Sequence, residues 1–219
     1  MFNFFWITIS YLLGSIPFGY IITRLSTGRN VLEIGWKKTS GSNVFKNVGK
    51  WQGALTGILD LSKGYLVVLL ARNFGFPIEI QIFSGLAVVL GHNWSIFLKF
   101  AGGRGIGTLI GTFLAFSPEI LGYSMIPFLL FAFIWNTSIG TLFFFPTAIL
   151  LSIYFHQFEI IGIFTILVFF PVLIKRLSPI EEIFPVKEKK VLIRNRLLFD
   201  NDQALFDLRI KKVIKKILK

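Results

Sequence analysis

Apolar residues run through this chain in long blocks separated by short polar segments. Seven blocks qualify as candidate spans: 3–24, 51–71, 78–98, 106–117, 120–135, 139–155 and 160–174. A helix crossing a bilayer needs about 20 apolar residues, fewer where the bundle is locally thin. The pattern predicts an all-α, polytopic membrane bundle of about seven transmembrane helices, short in the middle. Pro17 and Pro127 fall inside spans, where neighbouring helices or hydroxyls can satisfy the carbonyls they free.

The polar positions orient this bundle. The first loop carries Arg29, Lys37, Lys38, Lys46 and Lys50, the third carries Lys99 and Arg104, and eleven Lys/Arg follow from Lys187 onward. Loops two, four and six offer only Arg72, Glu79, Glu119, His156 and Glu159. By the positive-inside rule the odd loops and the C-terminal segment face the cytoplasm, and the N-terminus lies outside. The first block has no basic residue before Arg24, the reverse of a signal peptide, and reads as a retained span. From Asp202 onward, Ile210, Val213, Ile214, Ile217 and Leu218 follow the helical period, with Lys211, Lys212, Lys215, Lys216 and Lys219 opposite. That is either an amphipathic helix on the cytoplasmic leaflet or a frayed basic tail. The expected organisation is one membrane domain, 1–177, and a cytoplasmic basic tail, 178–219.

Composition sharpens this picture in three ways. A 219-residue chain that is 54% hydrophobic has more apolar surface than a soluble fold of its length can hide. Its 26 Phe against 5 Tyr suit side chains facing lipid. The net charge of +12 sits in loops and tail between spans, which points to membrane lipids with anionic headgroups rather than to nucleic acid. With no cysteine, disulfides, thiolate metal sites and a Cys nucleophile are excluded.

Candidate chemistry collects at the cytoplasmic ends. Gly102-Gly103-Arg104-Gly105 is a glycine-rich basic turn between two apolar spans. Such a turn lets backbone N–H groups approach an anion while the guanidinium supplies a positive fork, so Gly102, Gly103, Arg104 and Gly105 point to phosphate capture at the bilayer edge. Ser40-Gly41-Ser42-Asn43-Val44-Phe45-Lys46 reads as an anion site or as a solvated loop of ordinary turn residues, and composition alone favours the loop. Asp60 and Lys63, three residues apart in an apolar helix, are a functional candidate or a self-neutralising structural pair. His92, at the inner end of the third span, is a general base, a substrate hydrogen-bonder or a packing residue. Neither His92 nor His156 has companions at metal-ligand spacing, so no metal site is expected. A common acyltransferase arrangement, His followed by Asp five residues later, is absent, because position 97 is Phe and position 161 is Ile. Ser138 and Thr141 line a polar pocket or cap a helix.

These residues resemble the bacterial integral-membrane glycerol-3-phosphate acyltransferases that use acyl phosphate as donor. The similarity begins at Tyr11-Leu12-Leu13-Gly14-Ser15-Ile16-Pro17-Phe18-Gly19 and continues through Asn43, Gly49, Gly53, Asp60, Lys63 and Gly64. It is strongest at Gly91-His92 and Gly102-Gly103-Arg104-Gly105 and recurs at Ser138-Ile139-Gly140-Thr141. The resemblance implies acyl transfer from acyl phosphate to the 1-hydroxyl of glycerol 3-phosphate, giving lysophosphatidate and phosphate with no cofactor. It implies Arg104, His92 and Ser138 as catalytic residues. It further implies Lys38, Ser42, Asn43, Lys46, Asp60, Lys63, Gly102, Gly103, Gly105 and Thr141 around the substrates, at the cytoplasmic face of the cell membrane.

The chain also departs from that family. Gly35-Trp36-Lys37-Lys38 stands where the family has Gly-Ser-Gly-Asn, Lys46 where it usually has Arg, and Arg104 where it usually has Lys. Arg and Lys are not equivalent at a phosphate. Aligned at the end of the last span, Phe170 and Leu173 stand at the family's His and Asn. Those losses leave open a non-catalytic relative that binds lipid or acyl phosphate. A small organic-phosphate transporter is a third possibility, though Asp60 and Lys63 are the only interior charged pair and no inverted repeat is visible.

Overall fold

A computed structural model of the chain describes residues 2–202 and contains helices and turns, with no strand among the described residues. The amphipathic segment expected beyond Asp202 lies outside the described residues. The predicted first span is two helices, α1 (Phe2–Ser15) and α2 (Phe18–Thr27). Pro17 causes the break, because it has no N–H to carry the helical ladder forward. The carbonyls of Gly14 and Ile16 at the break accept hydrogen bonds from Lys63 Nζ at 2.9 and 3.1 Å.

A short surface helix, α3 (Gly41–Asn47), leads into α4 (Lys50–Asn73). There follow α5 (Ile78–Asn93), α6 (Ile106–Phe116), α7 (Pro118–Ile134) and α8 (Thr137–Tyr154). A π-helical turn, Phe158–Gly162, opens α9 (Ile163–Arg176), and α10 (Lys189–Phe199) closes the described chain. The third predicted span ends as a helix at Asn93, and only a 3-10 turn, Ile96–Leu98, continues it.

Among the described residues, five stretches are long and apolar enough to cross a membrane: Asn3–Thr27, Lys50–Asn73, Ile78–Leu98, Thr137–Tyr154 and Phe158–Arg176. The predicted count of seven therefore becomes five of crossing length plus two shorter apolar helices. With 11 residues, α6 extends only about 17 Å, against ~30 Å of hydrocarbon. Ser117 stops it and caps α7 by accepting from the Ile120 N–H at 3.4 Å. The architecture is an all-α membrane bundle.

Its polarity is that of a membrane protein. Phe133, Tyr154, Leu150 and Ile126 are exposed, whereas Ser10, Thr56, Ser84 and Thr165 are buried. Each of those four hydroxyls donates to the carbonyl four residues earlier, so none is left bare in the interior. Between α5, α6, α8 and α9 the core is aromatic, with Phe113 edge-on to Phe144 at 4.9 Å and Phe145 edge-on to Phe169 at 5.1 Å.

Elsewhere the backbones themselves touch. A methyl group at Gly14 would strike the Val88 carbonyl, and one at Gly91 would strike that of Tyr11, so α1 and α5 meet through reciprocal glycines. Gly64 against Thr108 and Gly111 against Leu61 do the same for α4 and α6. Small residues at such contacts let membrane helices gain dispersion energy where apolar burial offers little.

The described part of the tail folds back on the bundle at the end of α9. Arg196 donates to the carbonyls of Leu177 and Pro179 and pairs with Glu182 and Asp202, each at 2.7 Å for the acids. Arg176 donates to the Leu197 carbonyl at 2.6 Å.

A Gly111→Val variant is expected to lose about 3 kcal/mol or more of stability, since its side chain has only backbone to displace. Gly122→Ala, which meets open space, is expected to be neutral or stabilising by up to ~1 kcal/mol. Thermal unfolding in detergent, followed by size-exclusion homogeneity, reads both.

Candidate active site

Asp60 sits mid-helix in α4 and is 3% exposed. Its Oδ1 takes Lys63 Nζ at 2.9 Å from the next turn and His92 Nδ1 at 3.2 Å from α5. The three predicted residues therefore form one cluster. The sequence places no acid near His92, and the fold supplies one from 32 positions upstream. With Nδ1 donating to Asp60, the other imidazole nitrogen is free to accept. That Nε2 faces Gly103, whose N–H donates to the His92 carbonyl at 3.1 Å. A Cβ on Gly103 would run into Nε2, which is why the position is glycine.

The glycine turn rests on this cluster. Gly105 has φ 78°, a left-handed conformation that opens α6 and favours glycine. Lys99 and Phe100 hold positive φ just before it, at 52° and 65°. The side chain of Asn93 is fully buried against the turn, and neither of its amide atoms has a hydrogen-bond partner among the described residues. Thr39 N–H reaches the Gly102 carbonyl at 3.5 Å and ties the turn to the first loop.

Four cations gather around the turn. The Lys38 ammonium lies 3.1 Å from Asp200 Oδ2. Arg104 spans the same carboxylate, with Nε 3.1 Å from Oδ2 and Nη2 2.6 Å from Oδ1. Its Nη1 donates to the Lys175 carbonyl. Lys175 sends its own ammonium to the Phe100 carbonyl at 3.3 Å and over the Trp94 ring at 5.1 Å. Arg176 donates to the Ser138 carbonyl at 2.9 Å, fixing the first turn of α8. Burial lowers the Lys38 ammonium from its ordinary 10.5 to about 8, and lowers Arg104 also, because both charges have left water.

The remaining predicted residues take varied positions. Asn43 is buried, and its amide is fully used: Oδ1 accepts from the N–H of Trp36 and from Asn47, while Nδ2 donates to Ile34 and to Lys38, all within 3.2 Å. It shapes the loop that presents Lys38. Lys46 is exposed with its ammonium 5.1 Å from the Trp36 ring centroid, a cation–π contact between two residues of the first loop. Ser42 is exposed, its hydroxyl 3.3 Å from that of Ser40. Ser138 is buried, and the cap of α8 is Asn136, which accepts from Ile139 at 2.8 Å. Thr141 bonds back to Thr137 and lines a narrow apolar cleft with Ile106, Ile110, Met125, Phe128 and Phe144.

The sequence did not single out Asn93, Lys175, Arg176 or Asp200. Lys175 and Arg176 carry a signal in hindsight, since both lie inside the last apolar stretch and are 4% and 3% exposed. Phe170, aligned with the family's histidine, is 57% exposed on the outer face of α9. A polar hollow of about 520 Å³ at the end of α2 also holds charges, Arg24, Arg29 and Glu33 among them. There Arg24 bonds to the Gly28 carbonyl and Glu33 to Asn30, so those two groups are spent locally. Among the described residues no group of acids and histidines could hold a metal ion.

Comparison with known proteins bears on the same residues. A family model described as glycerol-3-phosphate acyltransferase matches residues 4–185. A glycerol-3-phosphate acyltransferase 4 of Dehalococcoides mccartyi is 32% identical over 90% of this chain and 88% of its own length. That of Trichlorobacter lovleyi is 36% identical over 85% of this chain and 96% of its own. Among solved structures, PlsY (YgiH), an integral membrane glycerol 3-phosphate acyltransferase, superimposes in its glycerol 3-phosphate form with a TM-score of 0.74. It is 28% identical, over 84% of this chain and 93% of that one. Its lysophosphatidic acid form gives 0.72.

A phosphate bound by Lys38 holds that proton more tightly, so affinity is expected to fall as pH rises through about 8. Titration calorimetry with inorganic phosphate between pH 6.5 and 9.5 checks this, and Lys38→Arg is expected to flatten the profile.

Proposed function

The chain belongs to the glycerol-3-phosphate acyltransferase family, and from that premise we propose that it acylates the 1-hydroxyl of glycerol 3-phosphate from acyl phosphate, releasing lysophosphatidate and phosphate. The observation that carries this reading is the convergence of Lys38, Arg104, Lys175 and Arg176 on one glycine turn at the inner rim of a membrane bundle. Donor and acceptor each bring a phosphate, and four cations are a fitting complement for two. Residues 1–177 are the catalytic membrane unit, 178–219 its basic tail, and the charge asymmetry of the loops supports a cytoplasmic active face.

In this mechanism the acceptor's 1-oxygen attacks the acyl carbonyl carbon. The bond from that carbon to the donor's bridging oxygen breaks, and phosphate leaves. The hydroxyl proton passes to a phosphate oxygen of the substrates or to His92 Nε2, which Asp60 holds toward the turn. Lys38 and Arg104 together hold the acceptor's phosphate, and the backbone N–H groups of the glycine turn hold the departing one. Phosphate leaves readily, so orientation and charge stabilisation suffice without a covalent enzyme intermediate. The acyl chain of the donor lies between helices in the lipid phase.

Arg104→Ala is expected to lower transfer by about 10²-fold or more while leaving the bundle folded. The assay follows inorganic phosphate and lysophosphatidate together on purified protein given acyl phosphate and glycerol 3-phosphate. Matched release supports the reaction. No release from folded wild-type protein favours the non-catalytic, lipid-binding relative.

A further inference from the structure

The carboxylate that Lys38 and Arg104 share comes from far along the chain. Asp200 lies just past α10, 162 residues from Lys38 and 96 from Arg104. It adopts φ 50°, a left-handed turn that aspartate tolerates, with its N–H on the Arg196 carbonyl at 2.9 Å. That turn sends its side chain back between the two cations. Oδ2 accepts from the Lys38 ammonium and from Arg104 Nε, while Oδ1 lies 2.6 Å from Arg104 Nη2 as an ion pair without a hydrogen bond. Two oxygens across a guanidinium fork, with an ammonium at the side, is also how a phosphate sits in such a cradle.

From this geometry we infer that Asp200 is an internal stand-in for the substrate phosphate, occupying the Lys38–Arg104 cradle until glycerol 3-phosphate displaces it, and so setting the acceptor's apparent affinity. The inference rests on the phosphate-binding role assigned above to that cradle. A carboxylate is well matched to this task. It carries one negative charge where the incoming phosphate carries about two, so it fills the site without outcompeting substrate. It also spares two half-buried cations from facing each other unpaired, which is costly. The segment bearing Asp200 can let go without unravelling, because Arg196 holds it together independently through Leu177, Pro179, Glu182 and Asp202.

The alternative role for the same contact is positioning, in which Asp200 aims Arg104 and Lys38 at the substrate. The two roles predict opposite signs. Calorimetry with inorganic phosphate on purified Asp200→Asn is expected to show binding tightened several-fold. The gain reaches about tenfold if the empty cradle is populated one-tenth of the time in the wild type. The KM for glycerol 3-phosphate is expected to fall in parallel, and adding Arg104→Ala to remove both gains. Phosphate binding that is unchanged or weaker in Asp200→Asn overturns the inference and makes Asp200 a positioning residue.

Because the readout is phosphate binding, it separates this inference from the proposed reaction. Tightened binding without acyl transfer removes the reaction and keeps the exchange, while transfer without tightening does the reverse. If Asp200→Asn does not fold, the wild-type side chain can be tested in place. The chain has no native cysteine, so spin labels at Lys50→Cys and Leu198→Cys report one distance. Saturating phosphate is expected to lengthen or broaden it, and an unchanged distribution overturns the inference.

Discussion

A carboxylate buried among membrane helices must be paired, and the pairing of Asp60 fixes the remainder of this molecule. Lys63 and His92 both bond to it. Lys63 also closes the backbone break at Pro17, so one ammonium joins α4 to the α1–α2 junction. His92 carries the same constraint into α5 and, through Gly103, into the turn that holds Arg104. Helix packing, a broken span and the glycine turn thus share a single charged centre. Removing Asp60 or Lys63 strands the other's charge where water cannot reach it.

Around that centre the structure separates two uses of positive charge. Lys63 is neutralised deep in the bundle and serves architecture. Lys38, Arg104, Lys175 and Arg176 stand at the rim, bonded mostly to carbonyls, with Asp200 the carboxylate that bridges two of them. Carbonyl oxygens orient a cation without cancelling its charge. The rim therefore keeps a positive field while its members are held rigidly, a suitable condition for receiving anions.

Much of this was legible in the sequence, and the parts that were not share a cause. Apolar blocks marked the helices to within a few residues, because lipid tolerates little else over that length. Glycines and Arg104 marked the turn, because close backbone approach restricts the residue type. The pairing of His92 with Asp60 was invisible, since nothing local to either names the other. Asp200 was read as tail for the same reason. Lys175 and Arg176 went unremarked just past the last apolar block, and only packing brings them inward. Asn43 was recognised as special but for a different bond set, since its amide holds the 34–38 loop. The Pro17 break was anticipated as a tolerated proline, without the lysine that tolerates it.

The reciprocal glycines between α1 and α5 and between α4 and α6 divide the bundle mechanically. Where main chain rests on main chain there is no rotamer to turn, so these four helices behave as a fixed jaw. Between α7 and α8 one such contact, Gly140 against the Phe128 carbonyl, is joined by aromatic rings, such as Phe131 against Phe143 at 3.7 Å and Phe128 against Phe144 at 6.5 Å. That pair combines one pinned point with side chains that can turn about it, whereas α1 with α5 and α4 with α6 are each pinned twice.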